Sequence, residues 1–321
     1  MRAAPSVAKS ARRSRCYACA MRLPFAMALA ATLVACQSLP RAPARKAAAA
    51  PPPTAGIEAG TYDNHEQLWL AHEQGTAAPP HLSLDIQPTP QAEWTLWHVH
   101  VDAQPPLDAV WAMRAAGPGG RLLPHAPIAG LAAPFDVRAW APLPACELRE
   151  AHPGNALAAD VAACAASIAT LGAQGALLPT AVEPGSEGLR LRLYADEARG
   201  AQAQSQLHRV ATFGGWAVVN GAGANAKPNG DWHMNSGMRI GSEGGRRALV
   251  WRDGKPTGYS LSLERVTYRQ GNVPVLKLAV VDDASGQSLA YVWANPEATR
   301  IGLNFGWVQV GLEREAATLP P

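Results

Sequence analysis

His98 and His100 stand two apart in Trp94-Thr-Leu-Trp-His-Val-His-Val101, so on an extended strand both imidazoles share one face. There they could approach one metal or line a polar opening. No third ligand follows at a recognisable spacing, so no metal is assigned and the pair is kept as candidate ligand contacts. Ten tryptophans against four phenylalanines is an unusual ratio. Indole joins an apolar body to a polar N–H, so Trp94, Trp97 and Trp111 are candidates for stacking a flat ligand in a cavity. The competing reading is that Trp69, Trp94, Trp97, Trp111 and Trp140 fill a core and plug one end. His65 and Glu66 are adjacent; as residues of an early strand they would face opposite ways and sit at the surface. The run Gly221 to Lys227 has the wrong spacing for a phosphate loop, and Pro228 follows where Ser or Thr opening a helix is required. Neither a Gly-x-Ser-x-Gly elbow nor a His-Glu-x-x-His helix nor a paired-carboxylate motif occurs, so no catalytic residue is assigned.

The five cysteines divide by position. Cys16 and Cys19 precede an apolar run, Cys36 ends it, and Cys146 and Cys164 lie in the body of the chain. Met21-Arg22 followed by Leu23 to Ala35 is a charged start with an apolar segment too short for a stable membrane span, which is the pattern of a signal peptide. Leu33-Val34-Ala35-Cys36 resembles the lipobox of bacterial lipoproteins, and that resemblance implies acylation of Cys36 as the new amino terminus. Multiple acyl chains make attachment durable. Gln37 after the cysteine, in place of Asp, implies sorting to the outer membrane, with the chain facing the periplasm. Met21 could itself begin a complete signal, so residues 1–20 read as an extension upstream of the true start. In an oxidising compartment the remaining pair, Cys146 and Cys164, is expected to be bridged; two separately buried thiols are the alternative.

Net charge excludes one class of partner. The chain carries 28 Lys+Arg against 25 Asp+Glu, and several of the basic residues fall before Cys36. A near-neutral mature chain without a basic stripe lacks a phosphate-neutralising surface, so nucleic acid is not expected as a partner.

The elements that must position these residues are mostly strands. Residues 37–56 are rich in Pro and Ala and lack apolar periodicity, which marks a tether. Beyond it, short alternating runs are separated by Gly, Pro, Asn and Asp. Tyr259, Leu261 and Leu263 share one face with Ser260 and Ser262 on the other; Leu276, Leu278 and Val280 alternate likewise, as do Leu289, Tyr291 and Trp293, then Leu303, Phe305 and Trp307. Asp253-Gly254, Gly271-Asn272 and Ser285-Gly286 supply the reversals. Trp94 to Val101 and Leu107 to Met113 also read as strands, the second being short enough for a helical turn. One stretch departs from β: Leu157, Val161, Cys164, Ile168 and Leu171 recur at helical spacing with Asn155 placed to cap.

Gly60-Thr61-Tyr62-Asp63-Asn64-His65-Glu66-Gln67 is similar to the opening signature of the CpcT/CpeT family of phycobiliprotein chromophore lyases, with Gly60, Tyr62, Asn64 and Gln67 as the matching positions. Leu143-Pro144-Ala145-Cys146 and the later Cys164 resemble that family's Leu-Pro-Gly-Cys segment and second cysteine. The resemblance covers roughly residues 57–200. It implies a calycin-like antiparallel barrel with an open end that receives a bilin. The family's acidic-Gln pair and Pro-Tyr-Arg stretch are represented only by Ala103-Gln104 and by Val110 to Arg114, so its tyrosine and acidic residue are missing. The helix read between the cysteines departs from the family as well.

The expected organisation is therefore a signal peptide over 1–36, a linker over 37–56, a CpcT/CpeT-like β-barrel region over 57–216 and a β-rich region over 217–316 that either completes the barrel or forms a second sheet. The expected fold class is mainly β, a calycin/lipocalin-like antiparallel barrel with C-terminal hairpins and one short helix. The favoured function is a membrane-anchored, non-catalytic lipoprotein whose barrel binds a small hydrophobic or planar ligand, bilin-like or otherwise. A chromophore lyase acting on an acceptor cysteine is the first alternative. An assembly factor that binds another envelope protein along a sheet edge is the second.

Overall fold

Residues 56–116, 120–128, 135–151, 156–197, 204–224, 227–268 and 272–316 are described by a computed structural model. The expected signal, the acylation site Cys36, nearly all of the linker and the expected helix cap Asn155 lie outside them. The described chain is mainly β. It builds two bodies in succession, a large curled sheet and then an eight-strand meander.

The first body runs β1 (Gly60–Asp63), α1 (His65–Gln74), β2 (His81–Pro88), β3 (Trp94–Asp102), β4 (Leu107–Ala115), β5 (Leu122–Pro127), β6 (Trp140–Pro142), β7 (Arg149–Glu150), β8 (Leu157–Ala158), α2 (Val161–Ala169), β9 (Pro179–Pro184), β10 (Gly188–Leu193), α3 (Tyr194–Glu197) and β11 (Ser205–Arg209). Its strands form one antiparallel sheet in the order β6-β5-β4-β3-β2-β1-β11-β10-β9-β8-β7. The sheet curls until Leu122 of β5 meets Leu148, just before β7, and the two residues exchange backbone hydrogen bonds of 3.0 and 2.8 Å. Period-two alternation explains the curl's interior: Leu82, Leu84 and Ile86 of β2 are buried on one face, and Trp97, Val99 and Val101 of β3 join them. Trp97 and Trp111 lie directly opposite each other on β3 and β4, each 1% exposed. Cys164 and Ile168 of α2 and Leu177 close this core, and the Trp111 indole N–H donates to the Leu177 carbonyl at 3.1 Å.

Cys146 and Cys164 are joined in a disulfide between fully buried positions, so the sulfurs tie the turn Pro144–Cys146 to α2. Closing a loop of this length contributes about 3 kcal/mol in the chain-entropy account. The helix itself is shorter than its apolar spacing predicts. Leu157 belongs to β8, and Asp160 caps α2 by accepting from the Ala163 amide at 3.1 Å.

The second body comprises β12 (Thr212–Asn220), β13 (Trp232–Gly241), β14 (Gly245–Val250), β15 (Pro256–Val266), β16 (Val275–Asp282), β17 (Ser288–Ala294), β18 (Arg300–Asn304) and β19 (Val308–Arg314). Two four-stranded antiparallel sheets, β13-β12-β19-β18 and β14-β15-β16-β17, contribute to a single apolar core. Chain order and strand order coincide around this body, because β19 returns to pair with β12. Backbone pairing lapses only where β13 passes to β14 and β17 to β18, so the meander has the connectivity of a flattened up-and-down barrel. Its interior is packed by Phe213, Val219, Leu249, Leu261, Leu278 and Val308, all 0% exposed.

Four expectations change. The chain leaves the large sheet after Arg209, so the expected boundary at 216 falls inside β12; of the two arrangements expected for the last hundred residues, separate sheets that do not pair with the first are the one formed. His65 and Glu66 are helical, because Asp63 accepts the His65 amide at 2.8 Å and turns the chain out of β1. Leu289, Tyr291 and Trp293 do share a face of β17, but it is the solvent face, and Ala290 packs inward. Phe305 and Trp307 do not extend β18: Asn304 and Gly306 form a turn there, leaving Phe305 exposed and Trp307 buried.

Candidate functional site

The tryptophans expected to line a cavity do not share one. Trp94 and Trp97 are three apart on one strand, and side chains at that spacing point to opposite faces. Trp97 and Trp111 fill the core of the large sheet, while Trp94 packs outside it with Trp140, Phe135 and His125. Trp94, Trp97 and Trp111 thus serve packing, and none of them lines the cavities beside Glu243, Asp85 or Trp216.

His98 and His100 lie on the outer face of β3, as period two requires. His100 joins a chain of alternating acids and imidazoles that runs across neighbouring strands. Asp63 is 3.0 Å from His81 Nε2, and His81 Nδ1 is 2.6 Å from Asp102. Asp102 in turn contacts His100 Nε2 at 2.9 Å, and His100 Nδ1 reaches Asp108 at 2.7 Å. A ring with a carboxylate at each nitrogen is held as imidazolium. The hydrogen bond to Asp63, reinforced by Asp102 against the cost of burial, raises the His81 pKa to about 9. His100 is raised in the same direction by Asp108 and Asp102. No group of three or more His, Cys, Asp or Glu side chains with metal-holding geometry occurs among the described residues.

The positions of the family-like signature act as clamps. Gly60 has φ 147°, and a Cβ there would lie 3.0 Å from Arg209 Nε. The Tyr62 hydroxyl donates to the Glu58 carbonyl at 2.8 Å. Asn64, fully buried, accepts from the Leu82 amide at 2.8 Å and donates to the Pro80 carbonyl at 2.9 Å. Gln67 pins the start of β11 by donating to the Gln204 carbonyl and accepting from the Gln206 amide, both at 3.1 Å.

The charged constellation lies where the two bodies meet. Glu66 projects from α1, is 6% exposed, and accepts from His208 Nε2 at 3.0 Å, from Arg265 Nε at 2.9 Å and from the Thr267 hydroxyl. Burial acts most strongly and would raise its pKa. The hydrogen bonds from His208 and Thr267 and the charges of His208 and Arg265 overcome it and hold Glu66 at about 2. The other side of the Arg265 guanidinium bonds Glu187 in the turn between β9 and β10. This is a buried ion cluster shared by α1, β11 and β15.

Beside it sits the turn Ser242-Glu243-Gly244 between β13 and β14. Backbone and side chain of Ser242 pair with Ala211, the Ser242 hydroxyl accepting the Ala211 amide at 2.9 Å. Gly244 has φ +73°, and a Cβ there would stand 2.4 Å from His65 Nδ1, so the imidazole covers a position open only to glycine. Glu243 is 8% exposed. Its Oε1 accepts from the Ser242 hydroxyl at 3.3 Å, whereas buried Oε2 has no hydrogen-bond partner. Burial, with added repulsion from Glu66 and Asp63, pushes the Glu243 pKa up to about 8 despite the attraction of Arg265.

Glu243, Arg265 and Glu187 line a cleft of about 530 Å³, together with Arg209, Arg314 and Glu297. Beyond the Val210-Ala211 crossing, a wider cavity of about 840 Å³ is lined by Asp85, Arg209, Arg239, Arg314 and Glu315. A third, shallow trough of about 410 Å³ runs over Gly215, Gly302 and Gly311 beside Trp216, on the outer face of the meander.

Sequence reasoning passes over Glu243 and Arg265 and places Glu66 at the surface, where the structure buries it. One signal was available: Leu261, Leu263 and Arg265 occupy the same period-two register, so a guanidinium stands where the strand's apolar face continues.

Packed interiors and a charged cleft between bodies define a class of protein: a two-body β protein whose accessible chemistry lies outside both cores. Comparison with protein-family models, with curated proteins and with solved structures returned no match.

Proposed function

We propose that this chain is a non-catalytic, lipid-anchored binding protein of the bacterial cell envelope, and that its ligand occupies the charged cleft between the two bodies, outside the barrel interior. The carrying observation is that both interiors are filled by side chains while a cleft of about 530 Å³ lies outside them, lined by the buried Glu243 and Arg265 and by the more exposed charges Glu187, Arg209, Glu297 and Arg314. Anchoring through Cys36 rests on the lipobox-like Leu33-Val34-Ala35-Cys36. The Cys146–Cys164 disulfide is consistent with folding in an oxidising compartment. Among the described residues no helix is long and apolar enough to cross a membrane.

The bilin expected from the CpcT/CpeT resemblance does not fit the large sheet, whose interior holds Trp97, Trp111, Met113 and Leu84 at 1% exposure or less. A second reading, binding of another envelope protein, is favoured by one observation. Edge strand β17 carries Tyr291 and Trp293, each 53% exposed, with ring centroids 5.3 Å apart.

Hydrogen–deuterium exchange on the full chain, with a panel of bilins, fatty acids, amino acids, diamines and dicarboxylates, tests the cleft. Protection of the turns Gly185–Glu187 and Ser242–Gly244 is the expected result. Quenching of buried tryptophan with no protection of these turns would return the site to a barrel interior. No response to any compound, with Tyr291→Ser and Trp293→Ala abolishing cross-linking to a membrane protein, would favour the partner-binding reading. Mass spectrometry is expected to find diacylglyceryl on Cys36 as the amino-terminal residue.

A further inference from the structure

Charges around the cleft are committed with one exception. Arg209 pairs with Glu58, Arg314 with Glu297 at 2.9 Å, and Arg265 with Glu66 and Glu187. Glu243 alone among these lining carboxyls is matched to no cation at ion-pair distance among the described residues, and its buried Oε2 has no hydrogen-bond partner. Leaving such a group unpaired is unfavourable, and a donor that satisfies the carboxyl would offset that cost. A second anion would meet a crowd of carboxylates there. A compact ammonium, with three donors and one positive charge, supplies the cation that the Glu243 carboxyl lacks and completes the pairing of the cleft.

We infer that the cleft between the large sheet and the meander binds a primary ammonium group, with Glu243 as the carboxylate that receives it; this rests on the reading of the cleft as the ligand site. The groups facing Glu243 are Ser242 on its own turn, Arg265 on β15, Glu66 on α1 and Asp63 at the end of β1. The His65 ring lies over the adjacent Gly244. In this setting the empty cleft keeps Glu243 as a neutral acid at pH 7, consistent with a pKa pushed up to about 8. Binding then has a defined balance: R–NH₃⁺ enters still protonated, the Glu243 carboxyl ionises, and its proton leaves to solvent. No covalent bond other than that O–H changes.

The probes are three C5 molecules of matched length: 1,5-diaminopentane, 1,5-pentanediol and glutarate. Calorimetric titration of the full chain at pH 7, in buffers of low and high ionisation enthalpy, reads affinity and proton release together. The diamine is expected to bind with release approaching one proton, the diol at least tenfold more weakly. Glu243→Gln is expected to lose at least tenfold in diamine affinity and all of the proton release. A melting temperature at or above that of the wild type would show that the variant folds, since a neutral amide replaces a neutral acid. Equal affinity for diamine and diol, or unchanged affinity and proton release in Glu243→Gln, would overturn the assignment. Exchange protection of the Ser242–Gly244 turn separates the two levels: protection by glutarate or another panel compound but not by the diamine overturns the ammonium site and leaves the cleft standing. Absence of protection by the entire panel overturns both.

Discussion

At the scale of single residues, charge placement in this chain is governed by which partner each ionisable group finds on another strand. His81 bridges Asp63 and Asp102, and the pair of carboxylates outweighs its partial burial. Its folded pKa, about 9, lies above the ordinary 6.5, so the proton is bound more tightly in the folded state. The stabilisation is fully present below pH 6.5, declines above it, and is gone once the pH has risen through about 9. A His81→Gln variant is therefore expected to melt below the wild type at pH 6, with the gap closing by pH 10; thermal scans across that range check it. A gap that stays constant with pH would mean that shape, and not charge, makes the contribution.

Elements here are joined through positions that admit one residue type. The β13–β14 turn fits beneath α1 because Gly244 has no Cβ, and its φ of +73° is a conformation L side chains rarely adopt. Gly244→Ala is expected to cost about 1–3 kcal/mol, from backbone strain and from displacement of the His65 ring. Urea unfolding of the variant measures this, and Gly254→Ala is the control: it too has positive φ, +84°, but its Cβ meets nothing within 4 Å. Gly244→Ala should lose more stability than Gly254→Ala by the part due to the collision with His65. Equal losses would show that the close packing of His65 is without energetic weight.

The whole molecule depends on how its two bodies are held. Glu66 is the centre of that junction, bonded to His208 of the large sheet and to Arg265 and Thr267 at the end of β15. Removing one partner of a buried ion pair strands the others, at about 3–5 kcal/mol. Glu66→Gln is accordingly expected to lower the melting temperature and to expose the Val210-Ala211 crossing to protease, while the disulfide-linked core of the large sheet stays protected. Glu66's folded pKa of about 2 lies below the ordinary 4.5, so its stabilisation is present above pH 4.5 and is lost as pH falls through 2. The wild type should keep the crossing protected from pepsin at pH 4, and loss of protection already at pH 5 would contradict this assignment.

What the chain's order of residues determined by itself is local. Alternation marked β3, β15 and β16, because a strand sorts its side chains to two faces with a period of two. Position sorted the cysteines, and the pair Cys146 and Cys164 is joined. The same local rules misassigned what depended on distant partners. Which face of β17 meets the core, where the first sheet ends, and whether tryptophans line space or fill it are set by neighbouring strands. Glu66 and Arg265 are 199 positions apart, and neither shows in sequence that it needs the other. Glu243 looks like a surface acid in a Gly-rich turn until packing of α1 against that turn buries it. Burial and pairing are properties of several segments at once, so only the tertiary structure could turn scattered charges into a cleft.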